Sequence, residues 1–237
     1  MATLLDIVQT TCRKIGLPAP SAVVSSADDQ IKTLLSLAKE AGDELSGDAD
    51  WSFLTEEETL TAIAQAAQTN HPPSDFDRFT PGTDIWDNAI KRPLVGVVRK
   101  NEWMGLRVKG QTGPDKYWIV LNGVINIYPT PTASSTFTYM YQRKNWIRPT
   151  GATDSSGDKA EFTADTDEPL FDKILMVQSL TWRWKQAKQL DYAEDMETYE
   201  RSKEIAIAAD RGPQTIRTAR VFRGDLPPTF WPGTITA

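Results

Sequence analysis

Lys116-Tyr-Trp-Ile-Val-Leu-Asn-Gly-Val-Ile-Asn-Ile-Tyr-Pro129 is the stretch of this sequence that decides the fold class. Asn122 and Gly123 separate two runs of β-branched and aromatic residues. Asn-Gly favours a two-residue hairpin turn, because both turn positions need a positive φ. The stretch therefore predicts two antiparallel strands. Residues 136–141 alternate Thr or Met with Phe or Tyr, which predicts a third strand with one aromatic face.

Shorter strands and loops surround this hairpin. Short runs with strand-forming residues predict strands at residues 51–55, 59–63 and 94–98. Turn-forming residues predict loops at residues 71–77 and 80–84. Residues 149–168 are rich in Gly, Ser, Thr and Asp, and they predict a connector with little regular structure.

Helical patterns lie on both sides of the strands. Thr3 and Asp6 resemble a capping box at the start of a first helix, which spans residues 3–15 and ends at Gly16. A second helix is predicted from Ser25 or Ser26 to Gly47. Pro169 suits the first turn of a third helix. A fourth helix is predicted from Asp191 to Arg211, since Gly212-Pro213 stops it.

Apolar side chains recur at helical spacing in all four predicted helices, and these positions are expected to face a shared core. In the first two helices they are Leu4, Ile7 or Val8, Thr11 and Ile15, then Ile31, Leu34, Leu35, Ala38, Ala41 and Leu45. In the last two they are Leu170, Ile174, Val177, Thr181 and Trp184, then Tyr192, Met196, Tyr199, Ile205 or Ala206, and Ala209.

Helices on both sides of a central run of strands predict an α+β fold. The expected architecture is an α-helical bundle formed by the N- and C-terminal helices, with an inserted antiparallel β module and an extended C-terminal arm. The bundle comprises residues 1–50 and 165–211, the β-rich module residues 51–164, and the docking arm residues 212–237. The chain must therefore leave the bundle and return to it.

The charge is unevenly distributed along the 237 residues. The net charge is −6, yet residues 211–237 hold four Arg and one Asp, a net charge of +3, so residues 1–210 carry −9. An acidic body argues against a protein that grips nucleic acid with its bulk surface. Arginines interleaved with Ile216, Val221, Phe222, Phe230 and Trp231 instead favour docking on another protein, because Arg and aromatic residues dominate interface hot spots. A frayed terminus and phosphate contacts are the alternatives.

Residues that carry chemistry are few. His71 and Cys12 are the only histidine and cysteine, so no zinc site can be built from such ligands, and Cys12 is expected to be a core residue. No phosphate-binding Gly-x-x-x-x-Gly-Lys motif is present. The sequence thus predicts no catalytic residues, no metal site and no cofactor. The carboxylates of Glu56 to Glu58 and of the connector are interpreted as solvated charge; those of the connector are Asp154, Asp158, Glu161, Asp165, Asp167 and Glu168.

Trp182 and Trp184 lie two residues apart on the predicted third helix, so they are expected to point to different sides. One would enter the bundle core while the other faces a neighbouring module or subunit. Trp182, Trp184, Tyr192 and Tyr199 are therefore the candidates for a subunit interface.

Four segments of the sequence resemble the head-to-tail connector, or portal adaptor, proteins of tailed bacteriophages, which are related in architecture to the tail tubular protein A family. They are Asp50-Trp-Ser-Phe-Leu-Thr, Pro73-Ser-Asp-Phe-Asp-Arg, Phe162-Thr-Ala-Asp-Thr-Asp-Glu-Pro-Leu and the stretch from Leu180 to Glu200. The resemblance covers most of residues 3–210. It implies a structural, non-enzymatic virion protein of the neck, assembled in the host cytoplasm, that connects capsid to tail.

The resemblance also implies partners and site residues. The family usually forms a ring of twelve subunits beneath the portal, with a tail or nozzle protein below, genomic DNA passing unspecifically through the lumen and no membrane. The residues expected to dock the arm on the portal are Arg211, Arg217, Arg220, Phe222, Arg223, Phe230 and Trp231. Glu194 and Glu197 are candidates for an acidic face toward the lumen or a basic neighbour. The rival interpretations are a virion-associated glycan-binding or cell-wall-degrading module, which would use the tryptophans and acidic loops, and a DNA-binding accessory protein.

Overall fold

A computed structural model describes residues 2–80, 82–97, 99–110, 113, 115–154 and 158–211. In this part of the chain it contains the helices α1 (Leu4–Ile15), α2 (Asp29–Asp48), α3 (Lys100–Lys109), α4 (Lys173–Ala187) and α5 (Ala193–Arg211), and a 3-10 turn, Ser52–Leu54. The strands are β1 (Thr55–Thr61), β2 (Ala67–Gln68), β3 (Phe76–Phe79), β4 (Trp86–Asp87), β5 (Arg92–Pro93), β6 (Val95–Gly96), β7 (Tyr117–Leu121), β8 (Val124–Tyr128), β9 (Thr136–Arg143), β10 (Ile147–Arg148) and β11 (Glu168–Pro169). The predicted α+β class is confirmed.

The capping chemistry explains where the first two helices begin and end. The Thr3 hydroxyl accepts a hydrogen bond from the Asp6 N–H, and Gly16 adopts the left-handed conformation that ends α1, as predicted. Helix α2 begins at Asp29, three or four residues after the predicted Ser26 or Ser25, because the side chain of Asp28, rather than a serine, accepts from the N–H of Gln30 and caps the helix. Gly47 does not stop α2, which continues to Asp48.

Helix α4 begins later than predicted and is buried on most of its surface. Its cap is Asp172, and Pro169 lies in strand β11 rather than in the first helical turn. Because α4 contacts α1, α2 and α5, its buried residues run continuously from Leu175 to Val177 and from Ser179 to Trp184. Ile174, expected to face the core, is exposed. On α5, Tyr199 is fully buried, whereas Met196 is 38% exposed and Ile205 is 62% exposed.

Strand β9 organises the larger sheet. It pairs with β1 along one edge and with β3 and β4 along the other, and β5 extends the sheet beyond β4. Its side chains alternate as predicted: Phe137, Tyr139 and Tyr141 are buried, and Met140 is exposed. These aromatic residues join Leu60, Ile85 and Ile125 in a hydrophobic cluster that is separate from the one formed by the helices.

The predicted hairpin is confirmed, with Asn122 and Gly123 both at positive φ between β7 and β8. Strands β2, β8, β7 and β6 form the second sheet in that order. Within it, β6 and β7 are parallel, which differs from the purely antiparallel module expected from the sequence. Parallel neighbours need a crossover connection, usually a helix. Helix α3, which was not predicted, lies within this crossover, and its Trp103 is buried near Tyr128.

One further local prediction is wrong. In place of the strand predicted at residues 51–55, Ser52–Leu54 form a 3-10 turn before β1. The Trp51 indole N–H donates to the carbonyl of Leu45 at 2.6 Å. Trp51 and Leu54 therefore pack in the helical cluster. Trp146 and Ile147 join the same cluster although they lie between the strands in sequence.

Candidate functional surfaces

Ion pairs near the start and at the middle of α5 hold this acidic helix in place. Near its start, Lys185 of α4 pairs with Asp195. At the middle of the helix, Lys203 pairs with Asp48 at 2.9 Å. Burial of the ammonium group alone would lower the pKa of Lys203, but its hydrogen bonds to Glu200 and Asp48 outweigh burial and raise the pKa. Glu194 and Glu197 are exposed on this helix. Both carboxylates are therefore available to a partner.

The expectation that only one of Trp182 and Trp184 enters the core is wrong. Both are buried within this one chain, and the ring of Trp182 contacts those of Tyr192 and Tyr199. The cause is that α4 has neighbours on several sides. Tyr199 is also fully buried and Tyr192 is half-buried, so Tyr192 offers the most accessible side chain of the four predicted interface residues.

Two carboxylates of the connector are buried and form ion pairs with basic side chains. The prediction that they are solvated charges is therefore wrong. Asp158 accepts hydrogen bonds from Arg143 at 2.6 Å and from Arg148 at 3.0 Å. Asp167 accepts from the Lys159 ammonium group at 2.8 Å and from the N–H of Thr163. Both carboxylates lie almost entirely out of solvent. The connector has little regular secondary structure, and its aspartate side chains hold it in place through these hydrogen bonds.

Another connector carboxylate joins this segment to the N-terminal part of the chain. Asp165 accepts from the backbone N–H groups of Val23 and Val24 at 3.0 and 2.7 Å. The backbone carbonyls of Asp165 and Asp167 accept from Leu5 and Leu4. By contrast, Glu161 pairs with Lys39 on the surface, in agreement with the predicted solvated charge.

The contacts of Asp167 predict how stability depends on pH. Burial alone would raise the pKa of Asp167, but the hydrogen bonds from Lys159, Thr163 and Ala164 outweigh it and hold the pKa below the usual range of an aspartate. The ionised form therefore stabilises the folded protein above the unfolded pKa, and this stabilisation is lost as the pH falls through the folded pKa. Asp167→Asn should cost about 1–3 kcal/mol near neutral pH and flatten the loss of stability below about pH 4. Urea denaturation across the acid range measures both effects.

The matched control for this prediction is Asp29→Asn, since the Asp29 side chain is 96% exposed and pairs only at the surface with Lys32. Its unfolding free energy should stay within about 0.5 kcal/mol of the parent at every pH. An Asp167 variant that titrates like the parent would contradict the assignment.

His71 lies in a loop but is not a surface residue. Its side chain is 10% exposed, its Nδ1 atom lies 3.7 Å from a carboxylate oxygen of Glu58, and burial lowers its pKa. Burial of the Glu58 carboxyl itself and, second, the nearby charge of Asp75 raise the pKa of Glu58. Among the described residues no group of three or more His, Cys, Asp or Glu side chains is arranged to hold a metal ion. Cys12 is buried in the core as predicted, and burial raises the pKa of its thiol.

Exposed apolar side chains mark two surfaces of the β region. Helix α3 exposes Met104 and Val108. Val95 is also exposed, and it lines a cavity of about 550 Å³ between β6 and a side of α3 that includes Gly105 and Leu106. A groove of about 660 Å³ crosses the outer face of the larger sheet, lined in part by Met140 and Trp86. Trp86 is the most exposed tryptophan in the described part of the chain. A platform of several aromatic rings for sugar stacking is therefore not formed by the described tryptophans.

A third groove lies at the end of α5 and is called the Trp51 groove below. It has a volume of about 350 Å³, and its lining consists of Trp51, Phe53, Phe171, Asp172, Leu175, Ala206, Ala209 and Asp210. Arg211, the first of the predicted arm residues, is exposed at the end of α5 beside this groove. The other predicted arm residues lie outside the described residues; they are Arg217, Arg220, Phe222, Arg223, Phe230 and Trp231.

Comparison with known proteins identifies the kind of protein that carries these surfaces. Within the described residues, no helix combines the length and apolarity required to span a bilayer. A search of curated proteins gave no match. The sequence model of the SU10 adaptor protein family matches residues 2–221, nearly the whole chain. This match supports a bacteriophage adaptor and does not show a specific similarity to tail tubular protein A. Such adaptors are structural proteins of the virion that interact with head and tail components, and they are normally non-enzymatic. The chain belongs to the SU10 adaptor protein family, a family of phage head-to-tail adaptors.

Proposed function

We propose that this adaptor forms a ring beneath the portal and connects the capsid to the tail while leaving a channel for DNA. The single observation that carries the proposal is the family match over residues 2–221. The ring contains twelve copies, contacts the portal above and a tail or nozzle protein below, and resides in the neck after assembly in the host cytoplasm. The net charge of −9 on residues 1–210 supports a conduit, because an acidic lumen repels phosphate and lets the duplex slide.

The proposed domain boundaries correspond to the two hydrophobic clusters of the chain. Residues 1–50 and 165–211 form the helical part, residues 51–164 are the β-rich insertion, and residues 212–237 dock on the portal. The separate clusters of the helices and of the strands support two structural parts. The apolar surface at α3 suits a contact between ring neighbours, because exposed apolar patches mark interaction sites.

We assign the exposed Glu194 and Glu197 to the lumen or to a basic neighbour, and Tyr192 to the nearby subunit contact. Trp182, Trp184 and Tyr199 support that contact from within the core, since little of their surface is accessible. Charge reversal of both glutamates should disturb ring assembly or DNA ejection while leaving the fold intact, since both side chains are exposed. Normal particles from the doubly reversed protein would contradict both assignments.

The deciding experiment measures the mass and rotational symmetry of the purified protein mixed with its cognate portal. We expect a saturable complex with one adaptor per portal subunit. A full-length variant with Arg217→Ala, Arg220→Ala, Phe222→Ala and Arg223→Ala should bind at least about tenfold more weakly, because Arg and aromatic residues dominate interface energies. A chain truncated after Arg211 should not bind.

The matched control is Arg201→Ala, which removes an exposed arginine from α5 and should leave portal binding unchanged. Equal binding by the arm variant and the parent would show that the arm does not dock on the portal. Absence of any complex, together with binding or hydrolysis of cell-wall glycan by the purified protein, would favour the glycan-binding or cell-wall-degrading alternative.

A further inference from the structure

The Trp51 groove is an apolar depression with an acidic rim. Trp51, Phe171 and Leu175 form its floor and are each at most 5% exposed. The rings of Trp51 and Phe53 both contact Phe171, with centroids 5.6 and 5.5 Å from it, so the floor is a packed aromatic surface. Asp172 and Asp210 are the acidic groups of the lining. Such a surface suits an apolar side chain flanked by cations.

The end of α5 is fixed at this groove. The Asp210 carboxylate accepts hydrogen bonds from the N–H and the hydroxyl of Ser52, at 2.7 and 2.6 Å. Ala206 and Ala209 form the helix side of the groove. The described part of the chain therefore ends directly beside the depression. In sequence, Gly212-Pro213 follows at once and opposes continuation of the helix.

The composition of the following residues matches the groove. Ile216, Val221 and Phe222 are apolar, and Arg217, Arg220 and Arg223 accompany them without an acidic residue before Asp225. Ile216 is six residues beyond Asp210, a reach of up to about 20 Å, and Phe222 has about twice that reach. The carboxylates of Asp172 and Asp210 each keep acceptor sites beyond the hydrogen bonds they already accept.

We propose that the segment Ile216–Phe222 of the same chain occupies the Trp51 groove in the free adaptor, with its apolar side chains on Trp51 and Phe53 and its arginines at Asp172 and Asp210. A groove of about 350 Å³ has the volume of about twelve water molecules, which suits one or two side chains and not a folded partner. The interaction holds the docking segment on its own body until another protein competes for it. It does not depend on portal being that competitor.

Hydrogen exchange of the isolated full-length protein tests the proposal. Ile216→Ser with Phe222→Ser should make the amides of residues 51–54 and 206–210 exchange about threefold faster or more, because removing the covering segment increases local opening. Ile235→Ser with Phe230→Ser is the matched control, with the same residue types later in the chain, and should change nothing. Unchanged exchange in the first variant would overturn the proposal.

A second pair of variants changes the groove instead of the segment proposed to occupy it. Ala209→Arg places a cation on the groove side of α5 and should accelerate exchange at residues 51–54 as the segment variant does, whereas Ala208→Arg, exposed and outside the groove lining, should not. Combining Ala209→Arg with the segment variant should add nothing further; additive effects would contradict a shared contact. Protection that rises with a roughly tenfold increase in protein concentration would assign the occupant to a second copy and overturn the same-chain contact.

These outcomes are distinct from those of the portal experiment. The exchange measurement uses no portal, so failure of portal binding leaves the groove contact intact. Conversely, a result that contradicts the groove contact does not contradict docking of the arm on the portal. If both proposals hold, portal binding should make residues 51–54 exchange faster in the parent protein.

Discussion

Replacing Asp158 by Asn is expected to lower the free energy of unfolding by about 3 kcal/mol near neutral pH, the low end of the range for breaking a buried ion pair. The Asp158 side chain is fully buried, and those of Arg143 and Arg148 are 2% and 18% exposed. Asn keeps the shape of Asp, but it removes the negative charge and turns one acceptor into a donor that faces a guanidinium group. A carboxylate oxygen of Glu56 lies 3.5 Å from the Arg143 side chain and still neutralises part of its charge in the variant. The expected loss is therefore at the low end of that range.

Equilibrium denaturation in urea measures this loss, and Glu161→Gln is its control. Glu161 belongs to the same connector, but its side chain is 66% exposed and its pair with Lys39 lies at the surface. Surface pairs contribute about 0–1 kcal/mol, so the control should differ little from the parent. Equal stability of the two variants would show that Asp158 does not hold the connector to β9.

Replacing Gly42 by Ala is expected to destabilise the protein by about 2 kcal/mol, although Ala is the better helix former by about 1 kcal/mol. A Cβ atom on Gly42 would lie 2.0 to 2.4 Å from three carbon atoms of the Trp146 indole. The indole cannot move aside easily, because it is fully buried, contacts Phe162 and Phe171, and donates its N–H to Asp43 at 3.0 Å. Overpacking therefore outweighs the gain in helix propensity.

Gly47→Ala on the same helix is the matched control, since a Cβ atom there would have no neighbour within 4 Å. It should stabilise the protein by about 0.5–1 kcal/mol, close to the helix-propensity difference alone. Thermal and urea denaturation of the two variants should consequently move in opposite directions. Stabilisation by both would show that Trp146 does not pack on the backbone of α2.

Both predictions concern the place where the chain returns from the strands to the helices. Trp146 lies three residues after the end of β9 and packs against α2, and Asp158 pairs with Arg143 at the end of β9. Asp165 and Asp167 then attach the connector near α1. A loop rich in Gly, Ser and Asp thus joins the two hydrophobic clusters through specific contacts. For an adaptor, this attachment couples the helical part to the strands.

The sequence by itself determined the features that depend on near neighbours along the chain. The Asn122-Gly123 turn, the alternation of Phe137, Tyr139 and Tyr141, and the cap at Thr3 were all predictable, because each rests on backbone sterics or on periodicity within a few residues. The family resemblance was also visible in short segments, and the match over residues 2–221 confirms the adaptor assignment. The arm residues beyond Arg211 were named from composition alone and remain a prediction.

Only the tertiary structure decided which polar and aromatic residues are buried. Asp158 and Asp167 lie in a polar segment that is typical of solvated acids. Both are nevertheless buried, because Arg143 and Lys159 respectively form ion pairs with them. Trp182 and Trp184 are both internal because α4 is surrounded by other helices, a fact of chain topology that helical spacing does not contain. The parallel β6–β7 pair needs a crossover connection, in which α3 lies, and the Trp51 groove combines residues from positions 51 to 210. Burial depends on partners that the fold brings together from far along the chain, so local patterns could not reveal it.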